Sequence, residues 1–335
     1  MKTLVTGATG FLGTHLIEGL CASGKASELR VLVRKPTAHL KALGVDVVTG
    51  SVTQAEDVAK ALDGVSHVYH LAGLVSRKQE DAHEMYRVHV EGTRQLCRAA
   101  AERNVTRIVM ASTSGTVAVS RNEDEMPGED SPAPVDIIGR WAYYASKLYQ
   151  EEAAKRACGD KVQLVTVNPS LLLGPGDERL SSTRDVLSFL AKEIPVCPGG
   201  GVNFVDVRDV AAALPAAMER GVAGERYLLG AYNWTFSEFF GRLERLTKVR
   251  GPLIKGKGRW PFYASHLQAA AYKAMGKTPP VDPETVEMGE YYWYFSSEKA
   301  EKALGFKARE ASETLFDTVA YLRSHFLGGA KPLSS

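Results

Sequence analysis

Tyr143 and Lys147, in the run Tyr143-Tyr144-Ala145-Ser146-Lys147, stand four positions apart. On a helix that spacing puts a phenol and an ammonium on one face. A cation beside the phenol lowers the cost of its phenolate, so a group with an ordinary pKa of about 10 is expected to trade protons nearer neutral pH. Such a pair suits carbonyl or alcohol chemistry. A hydroxyl to hold the substrate oxygen is available in Met110-Ala111-Ser112-Thr113-Ser114-Gly115, where Thr113 is the leading candidate and Ser112 and Ser114 compete with it. Taken alone, all three could equally satisfy backbone groups in a turn.

The chain opens on Thr6-Gly7-Ala8-Thr9-Gly10-Phe11-Leu12-Gly13, directly after a short apolar run and before a helical pattern. In that setting Gly7, Gly10 and Gly13 let the backbone turn sharply and approach a pyrophosphate at a helix N-terminus, with Thr9, Phe11 and Leu12 completing the loop. A carboxylate for the ribose 2′-hydroxyl of NAD is expected about 20 residues further on. Arg34 and Lys35 stand there instead. Two cations would meet a 2′-phosphate, so NADP(H) is favoured, while two solvated surface charges and NAD(H) use stay open.

These groups need a frame. Apolar runs at residues 3–6, 30–33, 46–48, 67–71, 107–110 and 162–167 alternate with helical stretches at 13–21, 55–62, 84–101 and 144–158. Alternation of this kind predicts βαβ units: an α/β, Rossmann-type, doubly wound parallel sheet buried on both faces. The Ser120 to Pro134 stretch, rich in acidic residues and proline, reads as a connector, with an active-site rim as the other reading. Past Pro169 the pattern is irregular: a helix at 182–193, a strand at 203–207, a helix at 208–219 and a strand at 226–229. The expected organisation is a dinucleotide-binding part at 1–170 with 203–229 returning to it, an interleaved, smaller substrate-binding region at 171–202 and 230–325, and a tail at 326–335.

Composition narrows the alternatives. With 335 residues, 44% of them hydrophobic, the chain can bury a large core, and 41 Lys and Arg against 39 Asp and Glu give no global argument for nucleic acid or an anionic membrane. Cys21, Cys97, Cys158 and Cys197 are far apart in sequence, form no metal-binding spacing, and read as reduced, buried thiols. No run of about 18 apolar residues is present, so no membrane span and a cytoplasmic location are expected. The partner is read as a small-molecule substrate, with a homodimer allowed.

The glycine loop, Thr113 and the Tyr143/Lys147 pair, taken in this order, resemble the extended short-chain dehydrogenase/reductase family. Further landmarks are His70-Leu71-Ala72-Gly73, Asn168-Pro169-Ser170 and Phe204 to Val210, so the likeness runs over nearly the whole chain. Within the family the sequence looks most like dihydroflavonol 4-reductase-like and hopanoid-associated sugar epimerase-like members. The resemblance implies that Tyr143 is the general acid or base, that Lys147 holds the nicotinamide ribose and tunes Tyr143, and that Thr113 orients the substrate, with Ser114 beside it. It also implies cofactor contacts from Ser51, Val52, Leu71, Ala72, Gly73, Pro169 and Ser170. Two departures stand out: His89 replaces a frequent Asn before Val90-Glu91-Gly92-Thr93, and Ser51 replaces a frequent adenine-binding Asp. His89 reads as a packed structural histidine.

For the substrate side, Tyr291-Tyr292-Trp293-Tyr294-Phe295 read as a strand would send alternate rings to opposite faces, some to a pocket and some to the core, with core packing the safer reading. Trp260, Phe262 and Tyr263 lie upstream. Rings facing a cleft would imply a bulky apolar substrate and ketone reduction. Lys248, Arg250, Lys255, Lys257 and Arg259 read as a solvated loop, or as a receptor for an anionic handle. Nucleotide-sugar epimerisation or dehydration with a tightly held cofactor is the alternative, and a non-catalytic NADP(H) sensor the third.

Overall fold

Parallel strands must be covered on both sides, and here the apolar runs divide cleanly between two cores. The computed structural model describes residues 2–194, 196–252, 254, 255, 272, 275 and 283–328. Strands β1 (Lys2–Thr6), β2 (Leu29–Val33), β3 (Asp46–Thr49), β4 (Val65–His70), β5 (Arg107–Ala111) and β6 (Gln163–Pro169) join a seventh, Arg226–Leu229, in one sheet. Successive side chains point to opposite faces of the sheet. Val5, Val31, Tyr69 and Val109 therefore enter the core under the Phe11–Ala22 and Val207–Arg220 helices. Leu4, Leu32, Val68 and Ile108 enter the core under the Ala55–Ala61, Thr93–Glu102 and Ala142–Cys158 helices.

Reading from one edge, the order is Arg226–Leu229, β6, β5, β4, β1, β2, β3, with every neighbouring pair parallel. This is the Rossmann-type doubly wound sheet. The chain reverses direction of travel between β1 and β4, and at such a switch point the carboxyl ends of the strands leave a crevice for ligands. The first glycine loop follows β1, Leu71 follows β4 and Ser112 follows β5, so the candidate groups share that edge.

A second, three-stranded sheet of Leu171–Leu173, Gly201–Asp206 and Tyr232–Thr235 packs against the Arg184–Leu190, Phe236–Thr247 and Ala311–Phe326 helices. Phe189, Phe204, Trp234, Phe240 and Leu315 form its core. The strand expected at 203–207 belongs to this small sheet, and the return to the large one begins with the helix after Asp206.

The aromatic run departs from a strand. Of the five, Tyr292 alone pairs in β-bridges, with Ser120 and Gly201, and Trp293, Tyr294 and Phe295 are buried in succession. The physical reason lies in the neighbours: Trp293 stacks on Tyr144, with centroids 4.8 Å apart, and its indole nitrogen donates to the Met288 carbonyl. Trp260, Phe262, Tyr263, Lys257 and Arg259 lie outside the described residues.

Candidate active site

The glycine loop is dictated by crowding. Gly7 takes φ +73°, and a Cβ on it would fall 2.5 Å from the Leu71 carbonyl group and 2.6 Å from the Ala72 nitrogen. A Cβ on Gly13 would fall 2.2 Å from the Gly7 oxygen. The loop closes with the Gly10 N–H donating to the Gly7 carbonyl at 2.9 Å, and no side chain caps the helix that starts at Phe11. Its first-turn N–H groups, beside backbone that any Cβ would obstruct, fit a dinucleotide pyrophosphate. Thr9 is partly exposed on the loop, Phe11 meets His15 edge-on, and Leu12 is buried in the core.

Tyr143 and Lys147 rise from the Ala142–Cys158 helix, which ends at Gly159. The Thr113 hydroxyl reaches Tyr143, and this contact alone draws the phenol pKa down. Burial outweighs it and pushes Tyr143 above its ordinary value, so the expected shift toward neutrality is not what the fold produces. The reason is where the ammonium points: Lys147 Nζ donates to the Ala111 carbonyl at 2.8 Å and to Gln150 Oε1 at 2.5 Å. Burial pulls Lys147 down to about 8, with the Glu151 carboxylate acting the other way.

Two buried networks fix the trio, and neither was read from sequence. Asn168 Nδ2 donates to the Thr113 carbonyl at 3.0 Å and to Glu151 Oε1 at 2.9 Å, while Thr116 Oγ1 donates to the same carboxylate oxygen at 2.8 Å. Arg226 lies 3.0 Å from the other Glu151 oxygen, an ion pair not aligned as a hydrogen bond. Glu151 thus ties the turn carrying Thr113 to the helix carrying Tyr143. Helical spacing could have flagged it, because Glu151 follows Lys147 by four. The second network runs through Gln150, Thr93 and His70.

His89 is structural in its contacts. The Leu74 N–H donates to Nε2 at 3.0 Å, so that nitrogen is unprotonated. Ser146 Oγ donates to the Tyr143 carbonyl and therefore accepts from His89 Nδ1, 2.9 Å away. Burial, then the nearby Lys147, hold His89 well below its usual range. It pins the loop after β4 to the reactive helix from a π-helical turn at Arg87–Gly92, a geometry that recurs at functional sites.

The remaining candidates are spread along the same edge. Arg34 and Lys35 are exposed just past β2, without an ion-pair partner among the described residues. Ser51 donates its N–H to Asp57 and shares its hydroxyl with Thr53, and Val52 packs beside Gly92 with its carbonyl accepting from Gln95. Leu71 and Ala72 are held by the Thr6 carbonyl and hydroxyl, and Gly73 faces His89. Pro169 ends β6, the Ser170 N–H bonds to Leu229, and the Ser112 and Ser170 hydroxyls are buried without partners among the described residues. Ser114 is buried inside a 3₁₀ turn whose carbonyl accepts from Val117 and Ala118. Cys97 and Cys158, distant in sequence, meet as buried thiols and Cys197 is buried too, whereas Cys21, near the end of the Phe11–Ala22 helix, is partly exposed and not buried as expected. Among the described residues no cluster of His, Cys, Asp and Glu could hold a metal, and no helix is long and apolar enough to cross a membrane.

A switch-point crevice with a glycine cradle and a Tyr/Lys pair defines a dinucleotide-dependent α/β protein. The sequence pattern of the NAD dependent epimerase/dehydratase family matches residues 3–230. A protein of Synechocystis sp. named for dihydroflavonol 4-reductase is 30% identical over 329 residues, 96% of this chain and 94% of its own length. The "Sterol demethylase protein B" of Methylococcus capsulatus is 33% identical over 254 residues, 74% of this chain and 75% of its own. The crystal structure of gox2253 superimposes with a TM-score of 0.83 at 30% identity, over 97% of this chain and 98% of that one. The chain belongs to the NAD-dependent epimerase/dehydratase family, the extended short-chain dehydrogenases/reductases, and is an NAD(P)-dependent oxidoreductase.

Proposed function

We propose that the chain is an NADPH-dependent reductase that converts a ketone of a bulky, apolar small molecule to an alcohol. The observation that carries this reading is the contact of the Thr113 hydroxyl with Tyr143, with Lys147 one turn along the same helix and bonded to the Ala111 carbonyl that precedes Ser112 and Thr113. In this reading residues 1–170, with 207–229, hold the dinucleotide, and 171–206 with 230–325 cover the substrate. The reduced nicotinamide supplies a hydride when bound. Thr113 orients the carbonyl oxygen, and Tyr143 gives that oxygen its proton. A phenol with a raised pKa still carries its proton at neutral pH, which is the form that reduction requires of a general acid. Lys147 holds the ribose and offsets negative charge as the proton leaves Tyr143.

Support for a bulky apolar substrate comes from relatives named for a dihydroflavonol and for a sterol. Trp293, Tyr294 and Phe295 are buried, so that part of the aromatic run lends no support of its own. A screen of NADPH oxidation against hydrophobic ketones, β-keto acids and nucleotide sugars tests the reading. Consumption with at least one hydrophobic ketone is expected. Protein that carries bound cofactor and converts sugar nucleotides without net NADPH use would replace it with the epimerase reading, and nucleotide binding with no turnover on any panel member would leave a sensor.

For the cofactor, Arg34 is assigned to the 2′-phosphate. Arg34→Ala should raise KM for NADPH about tenfold, as expected when one exposed charge-assisted contact is lost, and leave KM for NADH nearly unchanged. Equal effects on both cofactors would remove the assignment.

A further inference from the structure

The geometry points to Gln150 as a positioning residue for Lys147, set by a buried chain that runs Lys147, Gln150, Thr93, His70, Thr6 and ends where the dinucleotide loop begins. An ammonium has no acceptor, so the amide presents Oε1 to Lys147 at 2.5 Å and is left to donate from Nε2 to Thr93 Oγ1 at 2.9 Å. Thr93 Oγ1 lies 2.7 Å from His70 Nε2, and His70 Nδ1 lies 2.7 Å from Thr6 Oγ1, which also accepts the Ala72 N–H. Thr6, His70, Thr93 and Gln150 are fully buried. A buried polar chain with every member partnered is rigid, because breaking any link strands a desolvated group. One network therefore registers the Lys147 ammonium against the Leu71–Ala72 backbone that Gly7 touches. An amide does not pass protons readily, so the chain positions and does not relay.

The titratable groups facing Lys147 are few. His70 from β4, held down to about 3 by burial with Lys147 adding to it, and His89 from the π-helical turn both stay neutral. On its own helix stand Tyr143 and Glu151, the latter occupied by Thr116, Asn168 and Arg226. β5 contributes only the Ala111 carbonyl. Gln150 is thus a neutral acceptor in direct contact, and changing its charge changes the ammonium directly.

This inference rests on the proposed place of Lys147 at the nicotinamide ribose, and the test separates the two. NADPH and NADH, titrated in parallel by fluorescence from pH 6 to 10, should bind more weakly as Lys147 deprotonates. In Gln150→Glu the midpoint of that loss should rise by about one pH unit, and in Gln150→Leu it should fall by a similar amount. A purely structural role would change melting temperature or affinity at all pH values and leave the midpoint in place. An unmoved midpoint in Gln150→Leu overturns the inference, and this variant decides alone if Gln150→Glu does not fold. Lys147→Met should erase the pH step. A step that survives in Lys147→Met refutes the ribose assignment itself.

Discussion

Tyr143→Phe loses turnover by about 10²- to 10⁴-fold, the range for removing a positioned general acid, and keeps NADPH affinity close to that of the unaltered protein. The reasoning is local. The ring of Tyr143 packs edge-on against Tyr144 and His89, with centroids at 5.2 and 6.0 Å, and phenylalanine repeats those contacts. Only the hydroxyl and its contact with Thr113 disappear. The glycine cradle and Lys147 are untouched, so nucleotide binding has no reason to change. Stopped-flow or steady-state NADPH oxidation, with fluorescence titration beside it, separates the two quantities. Turnover retained within a few-fold would show that another group supplies the proton and would take the reaction assignment with it.

The pH dependence of the unaltered protein has a definite sign. Tyr143 is raised by burial and Lys147 is lowered to about 8, so in the reducing direction the first group lost as pH rises is the ammonium. Reduction should decline through pH 8 because Lys147 loses its charge while Tyr143 still carries its proton. Spacing alone pointed to a depressed tyrosine. What it could not show was depth, or that the ammonium would turn toward Ala111 and Gln150.

Legibility followed burial pattern. The six strands read from apolar runs lie in the large sheet because residues such as Leu4 and Val5 are covered on opposite faces, which leaves no polar alternation to confuse the pattern. The glycine loop was readable because Gly7, Gly10 and Gly13 recur at a fixed spacing between an apolar run and a helical pattern. The Phe236–Thr247 helix was also within reach: Thr235 accepts the Glu238 N–H, and Phe239, Phe240, Leu243 and Thr247 form its buried stripe. Strands of two or three residues, such as Val196–Cys197 and Leu171–Leu173, are too short to carry a period. Contacts such as Gln150 to Thr93, 57 residues apart, depend on which helices pack together, and no local rule encodes that.

Gly7→Ala should be severely damaging for a single added methyl, lowering stability by about 2–5 kcal/mol and removing nucleotide binding. Two penalties add. At φ +73° any L-residue is strained, by about 1–2 kcal/mol. The new Cβ then meets main chain, the Leu71 carbonyl group at 2.5 Å and the Ala72 nitrogen at 2.6 Å, neither of which can rotate away as a flexible side chain could. Relief requires β1 and β4 to part at the switch point, which pulls on the Leu71 N–H bond to the Thr6 carbonyl and on the Ala72 N–H bond to the Thr6 hydroxyl. His70, bonded to that same hydroxyl, would carry the disturbance toward Lys147. Thermal melting with and without NADPH reads both effects: a lower midpoint without nucleotide, and no rise when it is added. Gly24→Ala is the control, since it shares a positive φ of +83° with nothing within 4 Å of its Cβ, and should show the strain without the loss of binding. If Gly7→Ala behaved like Gly24→Ala, the close approach of the two strand ends would not be what the loop glycine serves.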